Sequence, residues 1–228
     1  MKKLKNRVFA VWHTDMPEPM GAFFNARAAR YDEVHTGHIA GGRASKDLVA
    51  AHLPEGTRDV LDLGCGTGLE LEALFARFPD ARVLGIDLAE DMLALLRTRC
   101  AGFDVSTRCM SYFDYDFPFA QFDAVISVMS LHHFSPAQKL ALYQKVGRTL
   151  RPGGVFLNCD YIIGSPFRER RNFCRLRRLR VPPGEVHFDT PLTLRHELSV
   201  LRQAGFACGM VLWSQGSTQL LRAEAFRR

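Results

Sequence analysis

The chain has 228 residues, 47% of them hydrophobic and 24% charged, which suits one α/β domain with a full core and excludes two large domains or a disordered polymer. The net charge of +6 admits a polyanionic partner, although the basic residues are unevenly placed. No apolar run has membrane-spanning length, and the start Met1-Lys2-Lys3-Leu4-Lys5 leads into too brief an apolar patch for a secretory signal, so no membrane partner and a cytoplasmic residence are expected.

The first 56 residues read as a helical preface. After Pro17, Pro19 and Gly21, residues 22–31 are rich in helix formers, with Phe23, Phe24 and Ala28 on one side and Tyr31 close by. A second helical pattern over 45–53 stops at Pro54-Glu55-Gly56. The run Asp59–Leu63 then reads as a strand, and Gly64-Cys65-Gly66-Thr67-Gly68 places three glycines at alternate positions before a helix at Leu69–Arg77. Glycines there let the chain turn tightly and let a ligand approach the main chain. Leu69 stands where a dinucleotide fingerprint needs its third glycine, and no Gly-Lys-Ser/Thr follows, so this is neither that fingerprint nor a P-loop.

A second short strand, Arg82–Asp87, completes a strand-helix-strand unit whose strands run parallel. Asp87 ends it where a nucleoside-binding fold needs an acid for the ribose hydroxyls; the other reading is a cap for the helix that follows. Further strands are expected at Asp104–Cys109 and Phe122–Val128. The latter runs into Met129-Ser130-Leu131-His132-His133-Phe134, at the carboxyl end of a central strand, where ligands sit in open α/β sheets. His132 and His133 are acid/base candidates there, or one packs while the other caps the helix opened by Ser135-Pro136. No metal is expected, because adjacent histidines diverge and no third ligand is evident. The six cysteines lack a C-x-x-C pair, so neither a zinc site nor a disulfide framework is expected from them.

A helix over 137–150 ends at Arg151-Pro152-Gly153-Gly154, and a strand over 155–161 ends in Asp160-Tyr161. The segment 162–191 follows, with Arg168, Arg170, Arg171, Arg175, Arg177, Arg178 and Arg180 interleaved with Phe167, Phe173, Leu176 and Leu179. It reads as a solvated amphipathic helix, as a surface for RNA phosphates, or as a guanidinium lid over an acidic substrate. His187 and Asp189 alternate on an extended stretch and face one way, toward a substrate or into a cap network with Thr193. A last helix, Leu194–Gln203, and a hairpin of strands over 207–213 and 218–223 close the chain.

Several of these stretches resemble the motifs of one family. Val60-Leu61-Asp62-Leu63-Gly64-Cys65-Gly66-Thr67-Gly68 resembles the first motif of the class I S-adenosylmethionine (SAM)-dependent methyltransferases, and Gly85-Ile86-Asp87-Leu88-Ala89-Glu90-Asp91-Met92-Leu93 the second, with Ala89 in place of a frequent serine. Leu131-His132-His133-Phe134 and Leu150-Arg151-Pro152-Gly153-Gly154 are similar to its later motifs, and Ala28-Ala29-Arg30-Tyr31-Asp32 looks like the N-terminal segment that closes over the cofactor. The resemblance implies a Rossmann-like methyltransferase fold: a doubly wound, seven-stranded, mostly parallel sheet with a C-terminal antiparallel hairpin. It implies one domain over 1–228, with a helical cap at 1–56 and an insertion or lid at 162–191.

SAM is the implied cofactor, held by Tyr31, Asp62, Gly64, Cys65, Gly66, Gly68, Asp87, Leu88, Met92, Ser111, Tyr112, Val128 and His133. Ser111 stands where an aspartate usually meets the adenine amino group, so that recognition passes to the Ser111-Tyr112 backbone or to Asp114. The implied reaction moves a methyl group to an O or N nucleophile of a small molecule, with His133, His132, Tyr161 and His187 as candidates for its proton. Two other readings stay open: a tRNA-modifying methyl- or carboxymethyltransferase using the arginine segment, and a non-catalytic SAM-binding protein.

Overall fold

The computed structural model describes residues 17–225; the basic start and brief apolar patch lie outside them. Seven strands form one sheet: β1 (Asp59–Leu63), β2 (Arg82–Asp87), β3 (Asp104–Cys109), β4 (Phe122–Val128), β5 (Leu150–Tyr161), β6 (Phe206–Gln215) and β7 (Thr218–Ala225). Their order is β3-β2-β1-β4-β5-β7-β6. The first five pair in parallel, and β7 lies antiparallel to both β5 and β6. From β1 the chain winds outward through β2 and β3 and then returns to β4 on the other side. The switch therefore falls between β1 and β4, the crevice where open α/β sheets bind ligands.

Alternation along the strands sorts the core into two layers. Val60, Ala124, Ile126, Val155 and Leu157 pack on one face with α3 (Gly42–Ala51), α4 (Leu69–Arg77) and α5 (Glu90–Arg99) through Val49, Ala50, Leu74 and Leu96. Leu61, Leu63, Val125 and Phe156 pack on the other with α6 (Pro136–Thr149) and α8 (Leu194–Gln203) through Leu142, Val146 and Leu201. Each such fully buried aliphatic side chain contributes about 1.5–3 kcal/mol relative to an exposed one. Between α6 and α8, Lys139 Nζ meets Glu197 at 2.7 Å and the Tyr143 hydroxyl donates to the same carboxylate, all three buried.

Several boundaries differ from the sequence expectations. The helix expected over 22–31 is two helices, α1 (Met20–Asn25) and α2 (Ala28–His38), which break at Ala26-Arg27 so that each turns its own apolar residues inward. The second preface helix begins at Gly42 rather than at Ser45, because Gly41 takes the left-handed conformation that starts it. Strand β5 begins at Leu150, pairing with Phe122 ahead of the glycine turn. Ser135 caps α6 in a full capping box with Gln138, so neither histidine has that task. Thr193 stands at the start of α8 without a side-chain cap bond; its backbone N–H donates instead to Glu169 of α7 (Pro166–Arg178), at 2.6 Å.

Candidate active site

The glycine loop is shaped by what surrounds each position. Gly64, Gly66 and Gly68 have φ of 75°, 48° and 71°, conformations that L side chains rarely adopt. A Cβ on Gly64 would stand 2.1 Å from Ser130 Oγ, whereas one on Gly66 would meet nothing within 4 Å and would project into open space. The Asp87 carboxylate accepts the Gly66 N–H at 2.9 Å and the Ala89 N–H at 2.8 Å. The acid therefore holds the middle of the loop and also begins the turn into α5, whose cap position is Ala89 with no side-chain cap bond. Burial holds its carboxyl above the ordinary range against those N–H bonds.

These residues open on a cavity of about 360 Å³ at the carboxyl ends of β1, β2 and β4. Of the residues the family resemblance implies for the cofactor, Tyr31, Gly64, Gly66, Asp87, Leu88, Met92, Ser111, Tyr112 and His133 line it. Asp114 also lines it, while the Ser111 hydroxyl accepts the Phe113 N–H at 3.2 Å within the turn. Cys65, Gly68 and Val128 lie around a small extension of about 20 Å³ beyond Tyr31, Gly64 and Gly66, where Glu70 also lies. Asp62 is fully buried behind the loop, next to Glu70, and burial holds both carboxyls above the ordinary range. Burial, with Glu70 and Asp87 near, pushes the Tyr31 phenol up, so it stays a hydrogen-bond donor.

The preface is fastened to this loop by charge. Asp32, next to Tyr31 on α2, accepts the Thr67 hydroxyl at 2.6 Å and is paired with Arg99, which also meets Glu72 at 3.0 Å. From the other side, α1 meets the segment after α7: the Met20 N–H donates to Glu185 O at 3.0 Å, the His187 N–H to Glu18 O at 2.9 Å, and the Phe23 and His187 rings stack at 3.5 Å.

A second cavity, of about 420 Å³, adjoins the first; Phe24, Tyr31, Met129 and His133 line both. Met129 holds φ at 53°, a strained value for a side-chain-bearing residue and one that concentrates at functional sites. His132, Tyr161, His187 and Asp189 face the second cavity, so all four acid/base candidates from the sequence stand around it. The His132 Nδ1 lies 2.5 Å from Asp160 Oδ1, and its Nε2 is 3.6 Å from Asp189 Oδ1; the His133 Nδ1 is 3.5 Å from that same oxygen. Burial disfavours a proton on His132, but Asp160 and Asp189 outweigh it and hold the imidazole above its ordinary value. Burial and the neighbouring His132 and His187 drive His133 well below its own, so it is neutral.

Residues 60–154 match the family model described as a methyltransferase domain. The chain is 36% identical over 103 residues to the demethylmenaquinone methyltransferase of Tropheryma whipplei (strain Twist), covering 45% of this chain and 41% of that protein. It is 34% identical over 98 residues to the cyclopropane-fatty-acyl-phospholipid synthase of Escherichia coli (strain K12), covering 43% of this chain and 25% of that protein. It thus spans less than half the length of either relative. Residues 60–154 carry the likeness to a methyltransferase domain. Among solved structures, the fold is shared with DhpI in its SAH complex (TM-score 0.70, 20% identity, 91% of this chain and 95% of that one). It is also shared with DesVI of Streptomyces venezuelae (TM-score 0.65, 19% identity, 89% and 97%).

Three features of the site escape a reading of the sequence. Asp160 is next to last in β5, and only the packing of β5 against the turn after β4 makes it the partner of His132. The segment 162–191 reaches the cavities through Pro183, Gly184, Glu185, His187 and Asp189, not through its arginines, none of which lines either one; this removes the guanidinium lid. The two adjacent histidines do not diverge, since their ring centroids are 4.0 Å apart, and Asp189 supplies the third ligand-type atom that the sequence did not reveal.

Proposed function

We propose that the protein transfers a methyl group from SAM to an O or N nucleophile of a small molecule, with SAM in the first cavity and the acceptor in the second. The observation that carries this reading is their common wall at Phe24, Tyr31, Met129 and His133. Methyl transfer is an in-line displacement, so donor and acceptor must meet through one narrow gap with water excluded.

The first cavity suits SAM on its own chemistry. Asp87, with two N–H bonds already fixing its carboxylate, offers its remaining lone pairs to the ribose hydroxyls. Leu88, Met92, Tyr112 and Phe113 supply apolar surface for adenine, with Asp114 as acceptor for its amino group. The open space before Gly66 leaves the backbone free for the methionine end, and Glu70 stands beyond it in the small extension for the ammonium. SAM brings a methyl group already activated on its sulfonium. The protein has only to align the acceptor and receive its proton, a task for the His132, His133 and Asp189 wall.

The test is SAH release with SAM and a panel of hydroxyl- and amine-bearing metabolites. Turnover with members of that panel supports the reading; turnover only with RNA defeats the small-molecule acceptor, and SAH binding without any turnover leaves a non-catalytic SAM-binding protein. A tRNA acceptor is the second reading. It is favoured by α7 and the turn after it, where all seven arginines are exposed and, among the described residues, none is paired with a carboxylate. Binding to tRNA that ignores both salt and removal of Arg170, Arg171, Arg177 and Arg178 would dismiss it.

A further inference from the structure

The acceptor-side wall places three potential ligands around one point. His132 Nε2 and His133 Nδ1 lie 3.6 Å and 3.5 Å from Asp189 Oδ1, and one ligand atom from each of the three residues falls within 4.8 Å of the others. His133 Nδ1 also donates to Phe188 O at 3.4 Å, which leaves Nε2 as the nitrogen with a free lone pair. Both contacts with Asp189 Oδ1 are too long to be N–H···O hydrogen bonds. That carboxylate oxygen is sealed from solvent and has no hydrogen-bond partner, and neither has His133 Nε2. An unpaired buried carboxylate oxygen is costly unless a cation answers it.

The surroundings of His132 sharpen the point. Its Nδ1 meets Asp160 Oδ1 at 2.5 Å, so Nε2 is the nitrogen left to face Asp189. A carboxylate behind the second nitrogen is the arrangement that orients metal-binding histidines and raises their basicity. The two nitrogen–oxygen distances are close to this as well: ligands about 2.0–2.2 Å from a tetrahedral zinc stand roughly 3.4 Å from each other.

We infer that His132, His133 and Asp189 bind a divalent transition-metal ion, zinc by its chemistry, on the wall of the second cavity. Two nitrogens and one oxygen suit zinc and its neighbours better than magnesium or calcium, which favour oxygen ligands. Three protein ligands leave a coordination position toward the cavity, the pattern of catalytic rather than structural zinc. A positive charge there lowers the pKa of an acceptor hydroxyl, which narrows the acceptor to an oxygen nucleophile. Only this last step rests on the proposed function; the binding does not.

The test is titration of the chelator-stripped full chain with Co2+, followed by visible absorption and by proton NMR, and then displacement by Zn2+. One Co2+ per chain with paramagnetically shifted ring protons from two histidines is expected. Asp189→Asn, on a side chain 34% exposed, should abolish that spectrum, and Asp160→Asn should weaken binding about 10- to 100-fold, as loss of an outer partner does. SAH binding, measured on the same samples, should be unchanged in Asp189→Asn and reports the fold. Absence of Co2+ binding to the wild type, or binding unaltered in an Asp189→Asn protein that still binds SAH, overturns the metal site while leaving methyl transfer standing. Loss of SAH binding in the wild type would instead strike the proposed function.

Discussion

The carboxylate of Asp87 accepts the backbone N–H of Gly66 at 2.9 Å, so the acid that ends β2 and the middle glycine of the loop after β1 form one unit. Charge-assisted bonds of this kind are worth about 1.5–3 kcal/mol each. Asp87→Asn is therefore expected to weaken SAH binding by about 10- to 100-fold, because both the loop anchor and the proposed ribose contact lose their charge. Calorimetric titration with SAH reads this directly, and an unchanged affinity would remove Asp87 from the cofactor site.

Gly64 and Gly66 separate stability from binding. Gly64→Ala puts a methyl 2.1 Å from Ser130 Oγ at a φ of 75°, and it should destabilise the fold, visible as a lowered unfolding midpoint. Gly66→Ala meets nothing within 4 Å, so it should cost only the left-handed backbone strain, about 1–2 kcal/mol. Its methyl enters the open space proposed for the cofactor, and SAH binding should fall far more than stability. Equal losses of stability in the two variants would contradict this division.

The buried Lys139–Glu197 pair, joined by Tyr143, ties α6 to α8. Removing one charge strands the other, at a cost of about 3–5 kcal/mol. Glu197→Gln should lose that much in urea unfolding, and adding Lys139→Met should restore part of it. A double variant no better than the single would show that the cost lies in packing rather than in the stranded charge.

His35, buried on α2 against Ser45, has its pKa lowered by burial from 6.5 to about 4, with Asp32 opposing. The unfolded chain takes up a proton below 6.5 that the native ring refuses until about 4. Stability is thus undiminished above 6.5 and falls between those values, by up to about 1.4 kcal/mol per pH unit. Urea unfolding from pH 8 to pH 4.5 should show this slope in the wild type and a flatter one in His35→Gln. The same slope in both would place the acid sensitivity elsewhere.

The central strands were legible because each carries a short apolar run that ends at a turn residue: β1 to β4 stand at their expected limits. The glycine loop and Asp87 were legible for a related reason, since their spacing along one strand-helix-strand unit is local. The break at Ala26-Arg27 was not, because both halves favour helix and only docking against the cavities divides them. Nor was the meeting of His132, Asp160 and Asp189. They come from the turn after β4, the end of β5 and the segment after α7, and Asp189 depends on how that segment folds back over α1. His187 and Asp189 could be paired by alternation, but not aimed.

The central claim is that two adjoining cavities serve donor and acceptor separately, and paired calorimetric titrations of SAH into Asp87→Asn and Asp189→Asn test it most directly. The account predicts SAH affinity lowered about 10- to 100-fold in the first variant and equal to wild type in the second. Unaltered affinity in Asp87→Asn, or its loss in Asp189→Asn, would contradict it.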